Sequence, residues 1–245
     1  MAKTIIANWK MKLSVEESLV LASSINIGLE KIKKNNKIVI CPDYISLPLI
    51  SLSLNNHQFF LGAQDSSTQI KAAATGEVSP ANLKEVGANY IIIGHSERRV
   101  GQLEANTVLN LKIKTALEVG LGVVLCLGEN LSQRNKGETK KVILKQLKES
   151  LRGVKIGKGN ELLIAYEPVW AIGSGQAMLA PEANKISGII KTEAEKILKK
   201  KVKILYGGSV DLENAKEFLK QKNISGLLVG AASLKKDDFL AICSI

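Results

Sequence analysis

The sequence predicts an α/β chain folded as a single-domain (β/α)8 barrel, and three observations lead there. Short apolar runs of strand length alternate with longer amphipathic stretches through the whole chain, which is the pattern of βα units around a parallel sheet. Eight such units fit within 245 residues, the usual size of a barrel. The competitor at this length is an open doubly wound sheet. Its nucleotide signatures, Gly-x-Gly-x-x-Gly after the first strand or a Gly-Lys-Ser/Thr loop, are both missing.

The elements follow in order. Thr4–Lys10 opens on the apolar Ile5-Ile6-Ala7 and precedes an amphipathic helix over Val15–Lys33. Lys37–Cys41 and Phe59–Gln64 are the second and third strands. The connection after the third, about Asp65 to Ser79, is long enough to suggest a binding or interface role. Tyr90–Gly94 and Gly122–Leu127 are the fourth and fifth strands, and Lys140–Leu151 reads as a helix with one apolar stripe. Leu162–Glu167 is ended by Pro168, and a helix begins near Pro181, clearly amphipathic over Ala183–Lys199. Ile204–Gly207, a helix over Leu212–Leu219 and the strand Gly226–Gly230 complete the set.

Composition narrows the function classes. No Pro/Ser-rich linker or composition shift divides the chain, and no apolar run approaches a membrane span, so no membrane partner is expected. Met1-Ala2-Lys3-Thr4 enters the first strand without a basic segment, long apolar stretch and cleavage site. Cys41, Cys126 and Cys243 are odd in number and lack Cys-x-x-Cys spacing, so neither disulfides nor a metal is expected. A cytoplasmic protein is the expectation. The net charge is +11, yet Arg98, Arg99, Arg134 and Arg152 are the only arginines and aromatics make up 4%. Nucleic-acid recognition asks for clustered basic residues with interleaved aromatics, and is not expected. The positive field suits the encounter with an anionic substrate.

Barrel active sites lie on the loops after the carboxyl ends of the strands, which directs the search. Glu167 stands at the end of the sixth strand among apolar neighbours, where partial desolvation raises basicity, and Gly173 and Gly175 follow in a lid-like loop. Asn8 and Lys10 are two apart near the end of the first strand, which places both on one face. His95 follows Gly94 and opens a short helical segment whose positive terminus keeps the imidazole neutral. His57 has no such company and reads as a packed or exposed histidine. The turns Gly207-Gly208-Ser209 and Gly230-Ala231-Ala232 follow the seventh and eighth strands, where barrels often hold phosphate on backbone N–H groups.

With these residues assembled, the chain resembles the triosephosphate isomerase family from end to end. The motifs that carry the resemblance are Asn8-Trp9-Lys10-Met11, Gly62-Ala63-Gln64, Thr75-Gly76-Glu77, Gly94-His95-Ser96-Glu97-Arg98-Arg99 and Cys126-Leu127-Gly128-Glu129, then Tyr166 to Gly175, Tyr206-Gly207-Gly208-Ser209 and Val229-Gly230-Ala231-Ala232-Ser233-Leu234. The resemblance implies cofactor-free interconversion of D-glyceraldehyde 3-phosphate and dihydroxyacetone phosphate through an enediolate, in glycolysis and gluconeogenesis. It implies Glu167 as the base, His95 as the polariser of the carbonyl oxygens, and Lys10 with Asn8 as the balance for negative charge. Ser96 and Glu97 support them. The resemblance further implies that backbone amides of Gly173, Ser209, Gly230 and Ala231 hold the phosphate, that Tyr206 and Ser209 latch the lid, and that Ile172 and Leu228 press on Glu167. It also implies a homodimer in which Thr75 reaches the partner's site and Glu77 pairs with Arg98 across the interface.

Three departures from the family pattern stand out. Ala231 replaces a usual second glycine, which strains the turn if its φ is positive. Gln176-Ala177-Met178 replaces a commoner basic, threonine-bearing hinge, and Ala72-Ala73-Ala74 replaces a triplet that often carries an aromatic anchor. The alternative to an isomerase is a catalytically silent barrel that binds phosphate, polyanions or another surface.

Overall fold

The computed structural model describes residues 2–33, 36–54, 58–172 and 177–245. Eight parallel strands close into a barrel in sequence order. They are β1 Thr4–Asn8, β2 Lys37–Cys41, β3 Phe60–Ala63, β4 Ala88–Ile93, β5 Gly122–Leu127, β6 Leu162–Tyr166, β7 Lys203–Tyr206 and β8 Gly226–Val229. β8 returns to β1 with Thr4 beside Gly226 and Ala7 beside Val229, which leaves the sheet without an edge. The helices are α1 Val15–Leu29, α2 Ser46–Ser53, α3 Pro80–Glu85, α4 Ser96–Gly101, α5 Asn106–Glu118, α6 Leu131–Asn135, α7 Thr139–Ser150, α8 Ala180–Leu198, α9 Ala215–Leu219 and α10 Lys236–Cys243. Short 3-10 turns at Val169–Ala171 and Ala231–Leu234 follow β6 and β8.

Two cores result from strand alternation. The larger packs the outward residues of the strands, such as Ile5, Ile40 and Ile164, against the helices. The smaller fills the barrel with inward residues: Ile6, Val39 and Cys41, Tyr90 and Ile92, Val124 and Cys126, Leu163 and Ala165, Leu205, and Leu228. Side chains on a strand repeat every two residues. Two positions beyond Ile6, Ala165, Leu205 and Leu228 come Asn8, Glu167, Gly207 and Gly230, so the next inward layer at the carboxyl end holds these four instead of apolar side chains. All four line one cavity.

The amino end is closed by a polar plug. Lys37 Nζ donates to Tyr90 Oη at 2.7 Å and to Glu161 Oε2 at 2.6 Å, Tyr90 Oη donates to the same oxygen at 2.6 Å, and Lys203 Nζ reaches Glu161 Oε1 at 3.0 Å. Burial raises the Glu161 pKa, but the hydrogen bonds from Lys37, Tyr90 and Lys203 outweigh it and bring the carboxyl down to about 2.

β2 and β5 end where the sequence suggests, at Cys41 and Leu127, and the other six strands end one or two residues earlier. β1 stops at Asn8, and Lys10 lies outside it at φ 54°, in the left-handed region. The strand argument for Lys10 is therefore replaced by a turn. α1 likewise stops at Leu29 with Glu30 as its cap, short of Lys33. His57 lies outside the described residues.

Candidate active site

Glu167 is positioned by close contact between the tips of β5 and β6. Its N–H donates to Leu127 O at 2.8 Å, which extends the ladder one residue past β6. A β-carbon on Gly128 would come within 1.7 Å of the Glu167 carbonyl oxygen, so only glycine permits this approach. A β-carbon on Gly207 would sit 3.0 Å from Glu167 Cγ, which makes room for the side chain itself. That side chain is buried, at 1% exposure. Its Oε2 accepts the Ser96 N–H at 3.1 Å. Its Oε1 has no hydrogen-bond partner and lies 3.3 Å from His95 Nε2. Burial, and then the neighbouring Glu167 carboxylate, hold the Cys126 thiol well above its ordinary pKa, so it stays neutral beside that carboxylate.

His95 is the N-cap of α4, and its Nδ1 accepts the Glu97 N–H at 3.3 Å. A nitrogen that accepts an N–H carries no proton of its own, which assigns the neutral ring's hydrogen to Nε2, the atom nearest Glu167. Ser96 and Glu97 thus act partly through their backbone, in a way the sequence did not show.

Lys10 is held in its left-handed conformation from both sides. Its N–H donates to Asn8 Oδ1 at 3.2 Å, and its carbonyl accepts Gln64 Nε2 at 2.8 Å. Gln64 Nε2 also reaches Cys41 O at 3.0 Å. A non-glycine residue in this region costs about 1 kcal/mol, which these hydrogen bonds offset. Lys10 Nζ pairs with Glu97 Oε1 at 2.5 Å.

Asn8, Lys10, His95, Glu167, Ile172, Ser209, Leu228, Gly230 and Ala231 line a single cavity of about 430 Å³. Residues from both ends of the chain therefore meet, as the strand-end argument requires. Ala231 opens its 3-10 turn, so its N–H has no partner within that turn, and its φ is not positive. The expected strain at this departure does not arise. Gly173 and Gln176 lie outside the described residues. Met178, beyond them, is buried, which gives the altered hinge a fixed far side.

Tyr206 and Ser209, the expected latch residues, bind the described flanks of that loop. Ser209 Oγ donates to Ala171 O at 2.5 Å, and Tyr206 Oη accepts the Met178 N–H at 3.3 Å. Tyr206 stacks on Phe218 with ring centroids 3.9 Å apart, and burial pushes its hydroxyl pKa up to about 12.

Glu129, the last residue of the Cys126–Glu129 motif, receives no role from the sequence. It is fully buried and accepts Tyr166 Oη at 3.2 Å and Trp170 Nε1 at 3.1 Å, while Val169 N–H donates to its carbonyl at 3.0 Å. Arg134 stacks 4.2 Å from the Trp170 ring and bridges to Glu182. The segment after Glu167 is thereby moored to the end of β5. Gln64, Lys235 and Asp238 were also missed.

The expected interface residues lie apart from the cavity. Thr75 and Glu77 are exposed on the 65–79 connection, whose neck is tied by Ser67 N–H to Val78 O at 2.8 Å and Ser79 Oγ to Ile70 O at 2.6 Å. Arg98 is engaged within the chain, with Nη2 2.8 Å from both Asp65 Oδ2 and Glu104 Oε1. Lys112 reaches the same two carboxylates at 2.6 and 2.5 Å.

Comparison with known proteins agrees with this geometry. The family model described as triosephosphate isomerase matches residues 3–245. The triosephosphate isomerase of Dehalococcoides mccartyi is 46% identical over 99% of this chain and 96% of its own length. That of Dictyoglomus thermophilum is 42% identical over 97% of this chain and 96% of its own. The crystal structure of triosephosphate isomerase from Bartonella henselae superposes with a TM-score of 0.87 at 31% identity, covering 99% of this chain and 98% of that one. Because the barrel, the convergence of strand-end residues and the whole-length match agree, the chain belongs to the triosephosphate isomerase family.

Proposed function

We propose that the chain interconverts D-glyceraldehyde 3-phosphate and dihydroxyacetone phosphate, with Glu167 moving the proton between carbons 1 and 2. The observation that carries this reading is the buried Glu167 Oε1, which has no hydrogen-bond partner and lies 3.3 Å from His95 Nε2, both residues lining the cavity. As the base takes a proton from carbon 1, negative charge grows on the carbonyl oxygen at carbon 2. The Nε2–H is placed to donate to that oxygen, and Lys10 balances the charge. Return of the proton to carbon 2, with transfer of the hydroxyl proton between the two oxygens, completes an exchange without net oxidation.

The phosphate is held by the N–H groups of Ser209, Gly230, Ala231 and Gly173. Ile172 and Leu228 flank the base and exclude water, which keeps the enediolate from losing phosphate. Tyr206 and Ser209 latch the segment that covers it.

The working unit is a homodimer. Supporting this, Met11 and Ile45 are exposed apolar residues after β1 and β2, at the same carboxyl end of the barrel as the 65–79 connection, and Leu49 is exposed on α2. Thr75 and Glu77 project from that connection, toward a partner's site and a partner's Arg98. Among the described residues no helix is long and apolar enough to cross a membrane. Three free cysteines suit a reducing cytoplasm, where the reaction is placed.

Conversion of glyceraldehyde 3-phosphate by the purified chain, followed with a coupled reductase that consumes dihydroxyacetone phosphate, tests the reading. Turnover on the scale of 10 per second or more is expected, in line with ordinary enzymes. No turnover contradicts it.

A further inference from the structure

We propose that Lys235 supplies positive charge to the substrate's phosphate group and that Asp238 restrains it until the phosphate arrives; this rests on the isomerase reading above. A phosphate dianion entering the cavity meets three lining carboxylates, Glu167, Asp211 and Asp238, against two ammonium groups, Lys10 and Lys235. Lys10 Nζ is already paired with Glu97 Oε1 at 2.5 Å. The N–H groups of Gly230 and Ala231 carry only partial charge. Lys235 is the cavity-lining ammonium that directly follows the turn carrying those donors, and its own ion pair is long.

Its placement suits the task. The Lys235 N–H closes the 3-10 turn on Ala232 O at 3.4 Å, so its backbone is fixed relative to the Gly230 and Ala231 donors. Its side chain is 77% exposed, and Nζ lies 3.9 Å from Asp238 Oδ2. That is a loose, solvated pair, worth little, which a dianion can displace. Lysine's long flexible stem lets it turn from the carboxylate to the cavity. The consequence is selectivity for substrates that carry two negative charges.

The test compares Lys235→Gln, Lys235→Arg and Asp238→Asn with the wild type in three measurements. These are kinetics on glyceraldehyde 3-phosphate, kcat/KM on neutral glyceraldehyde, and calorimetric binding of inorganic phosphate. Lys235→Gln should raise KM and weaken phosphate binding about fivefold, the size of one partly exposed charge pair. Its kcat and its glyceraldehyde kcat/KM should stay within about twofold of wild type. Lys235→Arg should restore KM and Asp238→Asn should lower it. Unchanged KM and phosphate binding in Lys235→Gln overturn the proposal, as does an equal loss on both aldehydes, which marks a structural effect. Phosphate binding needs no turnover: an inactive wild type whose phosphate affinity still falls with Lys235→Gln supports the role of Lys235 and contradicts the isomerase reading alone.

Discussion

His95 Nε2 lies 3.3 Å from Glu167 Oε1 because two successive backbone N–H groups at one helix terminus hold the two side chains. Ser96 N–H binds the carboxylate at Oε2, and Glu97 N–H binds the ring at Nδ1. The first turn of α4 thus sets the carboxylate's rotamer and the ring's tautomer together. The Glu97 carboxylate adds a second contact, with Oε2 3.5 Å from His95 Nδ1.

Ser96→Pro isolates the first of these contacts. Ser96 is the first residue of α4, where proline is tolerated, and His95 at φ −51° and ψ 143° already has the extended backbone proline asks of its predecessor. Folding should be retained within about 1 kcal/mol in a urea titration. The Glu167 carboxylate loses its anchor, and kcat should fall about tenfold or more. An unchanged kcat removes the backbone anchor from the account.

Gly128→Ala tests the approach of β5 to β6. The added carbon would meet the Glu167 carbonyl oxygen at 1.7 Å, so the backbone bearing the base must move. Displacement of about 1 Å costs a factor of about 10² in rate, and steady-state kcat should show it. A variant with wild-type kcat means the two strand tips separate without disturbing Glu167.

Glu161 at the far end of the barrel gives a pH signature. Its folded pKa of about 2 lies below its ordinary 4.5, so its contribution is full above 4.5 and is lost as pH falls toward 2. The difference corresponds to at most about 3 kcal/mol. Urea unfolding of Glu161→Gln should therefore lie well below wild type at pH 7, with the gap narrowing at pH 3. A gap that stays constant across this range contradicts the linkage.

Light scattering at micromolar protein tests the dimer. A mass near twice the 26.5 kDa of the chain is expected. Deleting the exposed side chain at Ile45, 70% exposed in the single chain, should weaken association. An active monomer contradicts the assembly.

The barrel and most of the site were legible because each depends on short-range pattern. Apolar runs fixed the strands to within a few residues, and the strand-end rule located Asn8, Glu167 and Gly230. The family motifs then supplied roles. What the sequence concealed depends on contacts between distant segments or on φ. The left-handed turn at Lys10 is stabilised by Gln64, more than fifty residues away, and alternation along a strand cannot foresee it. Glu129 has no role legible in its motif, because Tyr166 and Trp170, which converge on it, lie some forty residues further along the chain. Ala231 looked strained by comparison with glycine, yet its 3-10 turn accommodates a β-carbon.

The most direct test of the central claim is kcat of Glu167→Ala on glyceraldehyde 3-phosphate. Loss of a positioned base should lower kcat by at least about 10³-fold, while the urea midpoint changes little. Retention of wild-type kcat in a folded Glu167→Ala variant contradicts the assignment of the proton to Glu167.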